Sequence, residues 1–329
     1  MPNEIELKLR ISARDVPKLK QHPAIKQRLV GEPLSRKLIS IYYDTPDLQL
    51  LDTGLSLRVR SMSGGWFQAI KSAGHSVAGL HQRLEWEDLL TKNEPDFSKI
   101  TDPHVANIFS DARLRAALKP IFIVDVMRTD WQMNYEDGTE IELSLDMGEL
   151  HVDQLHEPIE EIELELKKGN TNHLFELALS LQHDIPLTIE NISKAQRGYA
   201  YLKPPPIIQT LTQTINKYVS SLTKVELFQH CISELQTNQE VLLKINHTAA
   251  VYHMRTAKNM LIDLLIPSQP NSQALIDELN WLTPFLITPC DQDNYEKLKF
   301  TLQSQRYQRL FLRLGAWLYS NAIPDSINT

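Results

Sequence analysis

The sequence predicts an α+β protein: a closed or nearly closed antiparallel β-barrel of about eight strands flanked by helices, followed by an all-α domain. Three observations point there. Apolar and charged residues alternate in five short segments before residue 170. The charged faces keep one sign over two or three consecutive positions, without the Ser, Thr and Lys mixture of an ordinary solvated face. A proline run, Lys203-Pro204-Pro205-Pro206, interrupts the chain, and beyond it apolar residues recur at helical spacing.

The strands follow from the period of two. Glu4, Glu6 and Lys8 alternate with Ile5, Leu7 and Leu9, and Arg58 and Arg60 with Leu57 and Val59. Arg83, Glu85 and Glu87 alternate with Leu84 and Trp86; Glu140, Glu142, Ser144 and Asp146 alternate with Ile141, Leu143 and Leu145. Glu161, Glu163 and Glu165 alternate with Ile162, Leu164 and Leu166. Successive side chains of a strand point to opposite faces, so each segment has one apolar and one charged face. Asp52-Thr53-Gly54, Gly64-Gly65 and Asp137-Gly138 supply turns between them. Helices are expected over 13–20, 104–118, 171–183 and 193–202. Consecutive prolines end the last of these near Leu202, which sets domains at 1–203 and 207–329. In the second, Ile215, Val219, Leu222, Val225 and Leu227, then Leu242, Ile245, Ala249, Tyr252, Leu261 and Leu265, mark the helical spacing.

Composition narrows the function classes. The 329 residues carry 34 Lys and Arg against 41 Asp and Glu, a formal net charge of −7. That excludes a surface given over wholly to nucleic acid. Two distant cysteines, Cys231 and Cys290, support neither a disulfide framework nor a cysteine-rich metal site, and suit a reducing cytoplasm. The N-terminus lacks the basic start and apolar core of a signal peptide, and no apolar run reaches the roughly 18 residues of a membrane span. Neither nucleic acid nor membrane is expected as a partner.

An antiparallel sheet with a wet, charged outer face fits the alternation as well. A barrel fits better, because acidic and basic clusters fall on different strands and closure would set them across a lumen. Leu174, Leu177, Ala178 and Leu181 on the third helix are candidates to cover the apolar outside. A charged lumen suits a highly charged ligand. Lys8, Arg58, Arg60, Lys71, Arg128 and Lys194 are suited to charge-assisted bonds with a phosphate chain. Carboxylates in the same lumen would repel that ligand unless Mg²⁺ or Mn²⁺ bridged them to it. There is no Cys/His zinc spacing, no Gly-rich phosphate loop before a helix and no Gly-x-Ser-x-Gly elbow. Attack by water is therefore preferred over a covalent enzyme intermediate.

The ordered motifs resemble the CYTH superfamily, the triphosphate tunnel metalloenzymes. They begin with Glu4-Ile5-Glu6-Leu7-Lys8, then Tyr42-Tyr43-Asp44-Thr45-Pro46-Asp47, Leu55-Ser56-Leu57-Arg58-Val59-Arg60 and the strand ending at Lys71. His81-Gln82-Arg83-Leu84-Glu85-Trp86-Glu87, Arg128, Asp146, the Glu161–Glu165 strand and Ser193-Lys194-Ala195-Gln196-Arg197-Gly198-Tyr199 complete the set, over about residues 1–202. The resemblance, closest to the bacterial inorganic triphosphatases with a second, helical domain, implies an eight-stranded tunnel, a triphosphate-containing substrate and Mg²⁺ or Mn²⁺. On this chain it implies that Glu4 and Glu6, with Glu161, Glu163 and Glu165, hold metal; which two of the last three dominate is left open. Glu4, Glu6, Lys8 and Lys194 would be catalytic. Lys8, Arg58, Arg60, Lys71, Arg83, Arg128, Lys194 and Arg197 would grip phosphates, with support of Lys194 as the alternative role for Arg197. Glu85, Glu87 and Asp146 would support the lumen, and Glu85 and Glu87 either ligate metal or orient bases. Tyr42 and Tyr43 read as packing residues.

The helical half resembles a shortened CHAD domain, a module associated with polyphosphate. Its usual histidine position holds Tyr252, and Asn259 and Met260 replace later basic residues. His247, His253, Arg255 and Lys258 read as a solvated helix face more than a basic patch, and Met254 and Met260 as core. The expected activity is metal-dependent hydrolysis of inorganic triphosphate. ATP cyclisation, as in class IV adenylyl cyclases, thiamine triphosphate hydrolysis, and a non-catalytic polyphosphate or nucleotide module are the alternatives. The oligomeric state is left open.

Overall fold

The computed structural model describes residues 3–62, 64–204, 222–245, 248–268, 270–287 and 290–320. They form two compact units. The first comprises the chain to His75, then Leu80–Asn170 and Glu190–Pro205; the second comprises Ser76–Gly79, Thr171–Ile189 and the chain from Pro206 onward.

Eight strands of the first unit form a ring: β1 (Asn3–Arg10), β2 (Leu29–Asp44), β3 (Leu55–Met62), β4 (Gly65–Ser72), β6 (Leu80–Leu90), β7 (Lys119–Asn134), β8 (Glu140–Val152) and β9 (Leu155–Lys168). Two short strands, β5 (His75–Val77) and β10 (Thr188–Ile189), lie outside it. Around the ring the order is β1-β9-β8-β7-β2-β3-β4-β6, and β1 pairs with β6 as well as β9, which closes the barrel. Every pairing in the ring is antiparallel. The eight-stranded antiparallel barrel expected from the sequence is thus present, and closure removes the sheet edges.

Parity assigns the faces. Outside, Leu55, Leu57, Val59 and Ile70 form one apolar cluster with Val105, Phe109 and Leu114. These last residues lie on or just after two short helices, α4 (Pro103–Ile108) and α5 (Ala112–Ala117), which follow α1 (Val16–Lys20), α2 (Pro23–Lys26) and α3 (Gln49–Asp52) in the chain. The lumen itself changes character along its length. At one end Leu38, Tyr42, Phe122, Val124, Val126, Leu150, Val152 and Ile159 pack with Tyr199 of α7 (Lys194–Leu202), so this helix plugs the barrel. Gly198 permits the approach, since a Cβ there would lie 2.5 Å from the Phe122 ring. Asp44 anchors the plug: its buried carboxylate accepts from the Tyr199 hydroxyl at 2.9 Å and from the backbone N–H of Thr45, Leu50 and Leu51.

The second unit is helical: α6 (Asn172–Asp184), α8 (Lys224–Ile245), α9 (Ala249–Leu265), α10 (Gln273–Trp281), α11 (Gln292–Leu302) and α12 (Gln305–Ser320). Here the structure corrects the sequence reading in two ways. Leu174, Leu177, Ala178 and Leu181 of α6 are buried, but α6 packs along α12 within this unit, with Phe175 against Gly315. The segment belongs with the helices because its apolar stripe meets theirs. In α8 and α9 the buried stripe runs through Phe228, Ile232, Leu235, Leu242, Val251, Met254, Ala257 and Leu261. Leu242, Leu261 and Leu265 are buried as expected, whereas Ala249 and Tyr252 are exposed and their neighbours Ala250 and Val251 are buried instead. Ile215, Val219 and His247 lie outside the described residues.

Candidate active site

The open part of the lumen is a cavity of about 540 Å³. Nine cationic side chains line it (Lys8, Arg36, Arg58, Arg60, Lys71, Arg83, Arg128, Lys167, Lys194) and seven carboxylates (Glu4, Glu6, Glu85, Glu87, Glu142, Glu163, Glu165), a net charge of +2 if all are ionised. Each strand contributes through alternate residues: Glu4, Glu6 and Lys8 from β1, Arg58 and Arg60 from β3, Arg83, Glu85 and Glu87 from β6. The signs are less segregated than the sequence reading supposed, because β1 and β6 each present both on the same face.

Acids and bases are one another's counter-ions. Glu4 accepts from Lys71 at 2.8 Å and from Arg83 at 2.6 Å, and Arg83 reaches Glu6 at 2.8 Å. Lys8 bridges Glu6, at 2.8 Å, to Glu163. Arg128 grips Asp146 with two bonds of 2.7 and 2.6 Å, and the same Nη2 that makes the second also donates to Glu163 at 2.5 Å. Burial alone would lift the Glu163 carboxyl, but Lys194, Lys8 and Arg128 together hold it well below the usual carboxylate range. Against the same effect of burial, Glu4 is depressed by Lys71, Arg83 and Lys8, and Asp146 by Arg128 and Lys194. Glu165 differs: burial pushes it up, Glu4 and Glu142 add to the rise, and Lys167 only partly opposes them.

Arg60 has less compensation. Among the described residues Arg60 makes no ion pair; its Nε donates to Ser40 Oγ at 2.8 Å. Burial, then Arg58 and Arg128, pushes the Arg60 guanidinium down to about 10. Arg58 differs: against its burial, Tyr42, Glu85 at 3.5 Å, Glu87 and Glu4 hold its guanidinium above the ordinary value, although its buried Nε has no hydrogen-bond partner. A buried guanidinium without a carboxylate partner, beside another whose Nε is unsatisfied, is a built place for anionic oxygens.

Lys194 enters from the plug. Ser193 and Gln196 form a capping box that starts α7 at Lys194. A cation there opposes the helix dipole, and Asp146, Glu161 and Glu163, at 2.9, 2.5 and 2.8 Å, offset this.

Most of the expected residues therefore converge, while three sit beneath the cavity instead of lining it. Asp146 and Glu161 are each 1 % exposed and are taken up by bases. Arg197 bonds Glu157, Glu161 and the Pro158 carbonyl, so it braces the anchor of Lys194 and does not face the cavity. Tyr43 is a packing residue on the outside, as expected, whereas Tyr42 stacks on Phe122 at 4.5 Å and also forms part of the cavity wall. Sequence reasoning missed Arg36 and Lys167 and did not single out Glu142; each has inward parity with a residue it did identify. In the helical unit Lys258 is buried and donates to Thr283 at 2.8 Å, and Arg255 stacks over Tyr252, so these side chains form no open basic patch.

A CYTH domain model matches residues 2–199. The chain belongs to the CYTH family. It is 33% identical over 220 residues to an inorganic triphosphatase of Haemophilus influenzae, a match spanning 66% of this chain and 59% of that protein. The chain thus aligns with under two thirds of its curated relative's length. A Hippeastrum protein named for adenylyl cyclase and described with a dominant triphosphatase activity is 16% identical, covering 60% of this chain and 96% of that one at a TM-score of 0.44. A Bacillus halodurans protein provisionally called an adenylate cyclase is 19% identical, over 60% of this chain and 98% of that one, at 0.37. Likenesses of this size carry no functional argument, and the CYTH barrel rests here on its own closed strand order. Among the described residues no helix is long and apolar enough to cross a membrane.

Proposed function

We propose that the chain hydrolyses inorganic triphosphate to pyrophosphate and phosphate in the barrel lumen, with Mg²⁺ or Mn²⁺. The observation that carries this reading is the lumen's mixed charge, nine cations interleaved with seven carboxylates, with Arg60 lacking a carboxylate partner among the described residues and the buried Arg58 Nε unsatisfied. A simple anion pocket gains nothing from so many acids. A polyanion joined to a divalent cation satisfies both sets, replacing base–acid pairs with base–phosphate and acid–metal contacts.

In this reading Lys8, Arg58, Arg60, Lys71, Arg83, Arg128 and Lys194 hold the phosphate chain. Glu4, Glu6 and Glu163, oxygen donors of the kind hard cations take, hold the metal. The bound ion supplies neutralisation of charge on the phosphoryl oxygens. Glu165 is the carboxylate best suited to a proton, because its affinity is raised while Glu4 and Glu163 are kept ionised. Water oxygen bonds to the terminal phosphorus as the bridging P–O bond breaks; pyrophosphate leaves and Glu165 takes the proton. Glu161, Asp146 and Arg197 are positioning residues.

One observation favours a second reading. Met62 and Phe67 line the same cavity, apolar surface that a bare phosphate chain does not use but a nucleoside or thiamine group does. Product analysis with triphosphate, pyrophosphate, ATP and thiamine triphosphate, each with Mg²⁺ or Mn²⁺, decides. Preferred release of phosphate from triphosphate is expected. Cyclic nucleotide from ATP would move the assignment to a cyclase, and no turnover of any substrate to a binding module. For the chain we propose a cytoplasmic location, which its two unpaired cysteines suit.

A further inference from the structure

We propose that Glu149, His151 and His156 form a second metal site, outside the lumen, for a borderline transition-metal ion of the zinc class. Strands β8 and β9 are joined by Asp153-Gln154 alone, with Asp153 in the left-handed region at φ 51°. This tight link sets His151 directly opposite His156, where facing Cβ atoms lie about 4.5–5.5 Å apart. Glu149, two residues before His151, shares its face.

The donor atoms already converge. Glu149 Oε2 is 3.2 Å from His156 Nδ1 and 3.7 Å from His151 Nε2, and the two rings stand 4.5 Å apart and nearly perpendicular. All three ligand atoms lie within 4.8 Å of one another. Donors at about 2.0–2.1 Å around a tetrahedral ion are spaced by about 3.4 Å, which the two carboxylate distances bracket. Among the described residues this is the group of histidines and acids that meets in this way; the lumen carboxylates are drawn apart by lysines and arginines.

Parity separates the two sites. Leu150 and Val152 belong to the apolar plug inside the barrel, so Glu149 and His151 project from the opposite face. Asp125 lies opposite Glu149 on β7 and adds negative charge there, in part neutralised by Lys37 at 3.1 Å. Two imidazoles and a carboxylate suit Zn²⁺, Ni²⁺ or Cu²⁺, whereas Mg²⁺ prefers oxygen alone. The half-exposed ligands leave a coordination position for water or an external donor. A bound ion would staple the hairpin whose strands carry Asp146 and Glu163 into the barrel.

The test uses the full, tag-free chain, stripped of metal and held in excess Mg²⁺ so that the lumen carboxylates are occupied. Zn²⁺ is then titrated against a chromogenic chelator. We expect one Zn²⁺ to bind, and His151→Ala and His156→Gln each to weaken it by at least about tenfold, the minimum seen when even a supporting partner is lost. Triphosphate hydrolysis in Mg²⁺ should be unchanged in both variants. Equal Zn²⁺ affinity in the variants, or no retention by the wild-type chain, overturns the site; loss of hydrolysis in the variants overturns its separation from the lumen.

Discussion

Lys194 Nζ and Glu163 Oε1 lie 2.8 Å apart inside the barrel, a helix residue and a strand residue joined across the plugged end of the lumen. The same ammonium serves Asp146 and Glu161, and Glu163 also serves Lys8 and Arg128. Removing Lys194 thus strips a counter-charge from three buried carboxylates at once.

We therefore expect Lys194→Met to destabilise the fold by about 3–5 kcal/mol, the cost of leaving a buried charge uncompensated. Adding Glu161→Gln should return part of that loss. Denaturant unfolding of the single and double variants checks it; a loss below about 1 kcal/mol would mean that the carboxylates are already relieved by water.

Arg60 should behave in the opposite way. It has no carboxylate partner among the described residues and is repelled by Arg58 and Arg128. Arg60→Ala should leave the melting temperature unchanged or raise it, while hydrolysis falls by roughly one to two decades, equivalent to about 1.5–3 kcal/mol for a charged hydrogen bond. Near-wild-type turnover in this variant would remove Arg60 from the phosphate grip.

Removing divalent metal should abolish turnover and barely shift thermal unfolding. The lumen carboxylates have internal cationic partners, so the barrel does not depend on an ion for charge balance. Full turnover after exhaustive chelation would defeat the metal-bridged mechanism, and a collapse of the melting temperature would show that metal is structural.

These contrasts also explain what the sequence could and could not reveal. Strands β1, β3, β6, β8 and β9 were legible because their inward residues near the cavity are charged and their outward ones apolar. Strand β7 was not: its inward face runs Phe122, Val124, Val126 against the plug and then Arg128, Asp130 beyond it, so the alternation changes meaning midway. Strand β2 is broken in sequence by Gly31 and Pro33, and its pairing with β7 shifts between Val30 and Leu34, which concealed Arg36. Glu161 and Glu163 share a strand parity, so nothing local distinguishes them. Their roles separate only when α7 descends far enough to cover one and leave the other on the cavity wall.

His81 makes stability pH-dependent. Burial, with Lys8 beside it, lowers its pKa from 6.5 to about 4, and its Nε2 lies 2.9 Å from the Glu190 carbonyl. Between those values the unfolded chain binds a proton that the folded chain refuses, so stability falls as pH drops from 6.5 towards 4 and this contribution levels off below. The full effect is roughly 3 kcal/mol at about 1.4 kcal/mol per unit. His81→Gln should flatten that part of the curve relative to wild type in urea titrations at stepped pH. An unaltered slope would assign it to other groups.

The last expectation concerns the helical unit. A Cβ on Gly315 of α12 would lie 2.2 Å from the Phe175 ring of α6, too close for any side chain without movement. Gly→Ala within a helix ordinarily gains about 0.5–1 kcal/mol, whereas overpacking a tight contact costs about 1–3 kcal/mol. Since Phe175 is fully buried and has little room to turn, the second effect should win. Gly315→Ala should lose about 1–2 kcal/mol by denaturant unfolding. Gly315→Ala with Phe175→Leu, which frees space where the ring stood, should lose less than the two single changes summed. For the same reason a chain ending at Lys203 would leave Leu174, Phe175, Leu177 and Leu181 without the helix they pack on, and should aggregate more readily than the full chain. Strict additivity in the double variant would show that α6 and α12 do not press on one another at Gly315, and with that the case for α6 as part of the helical unit would weaken.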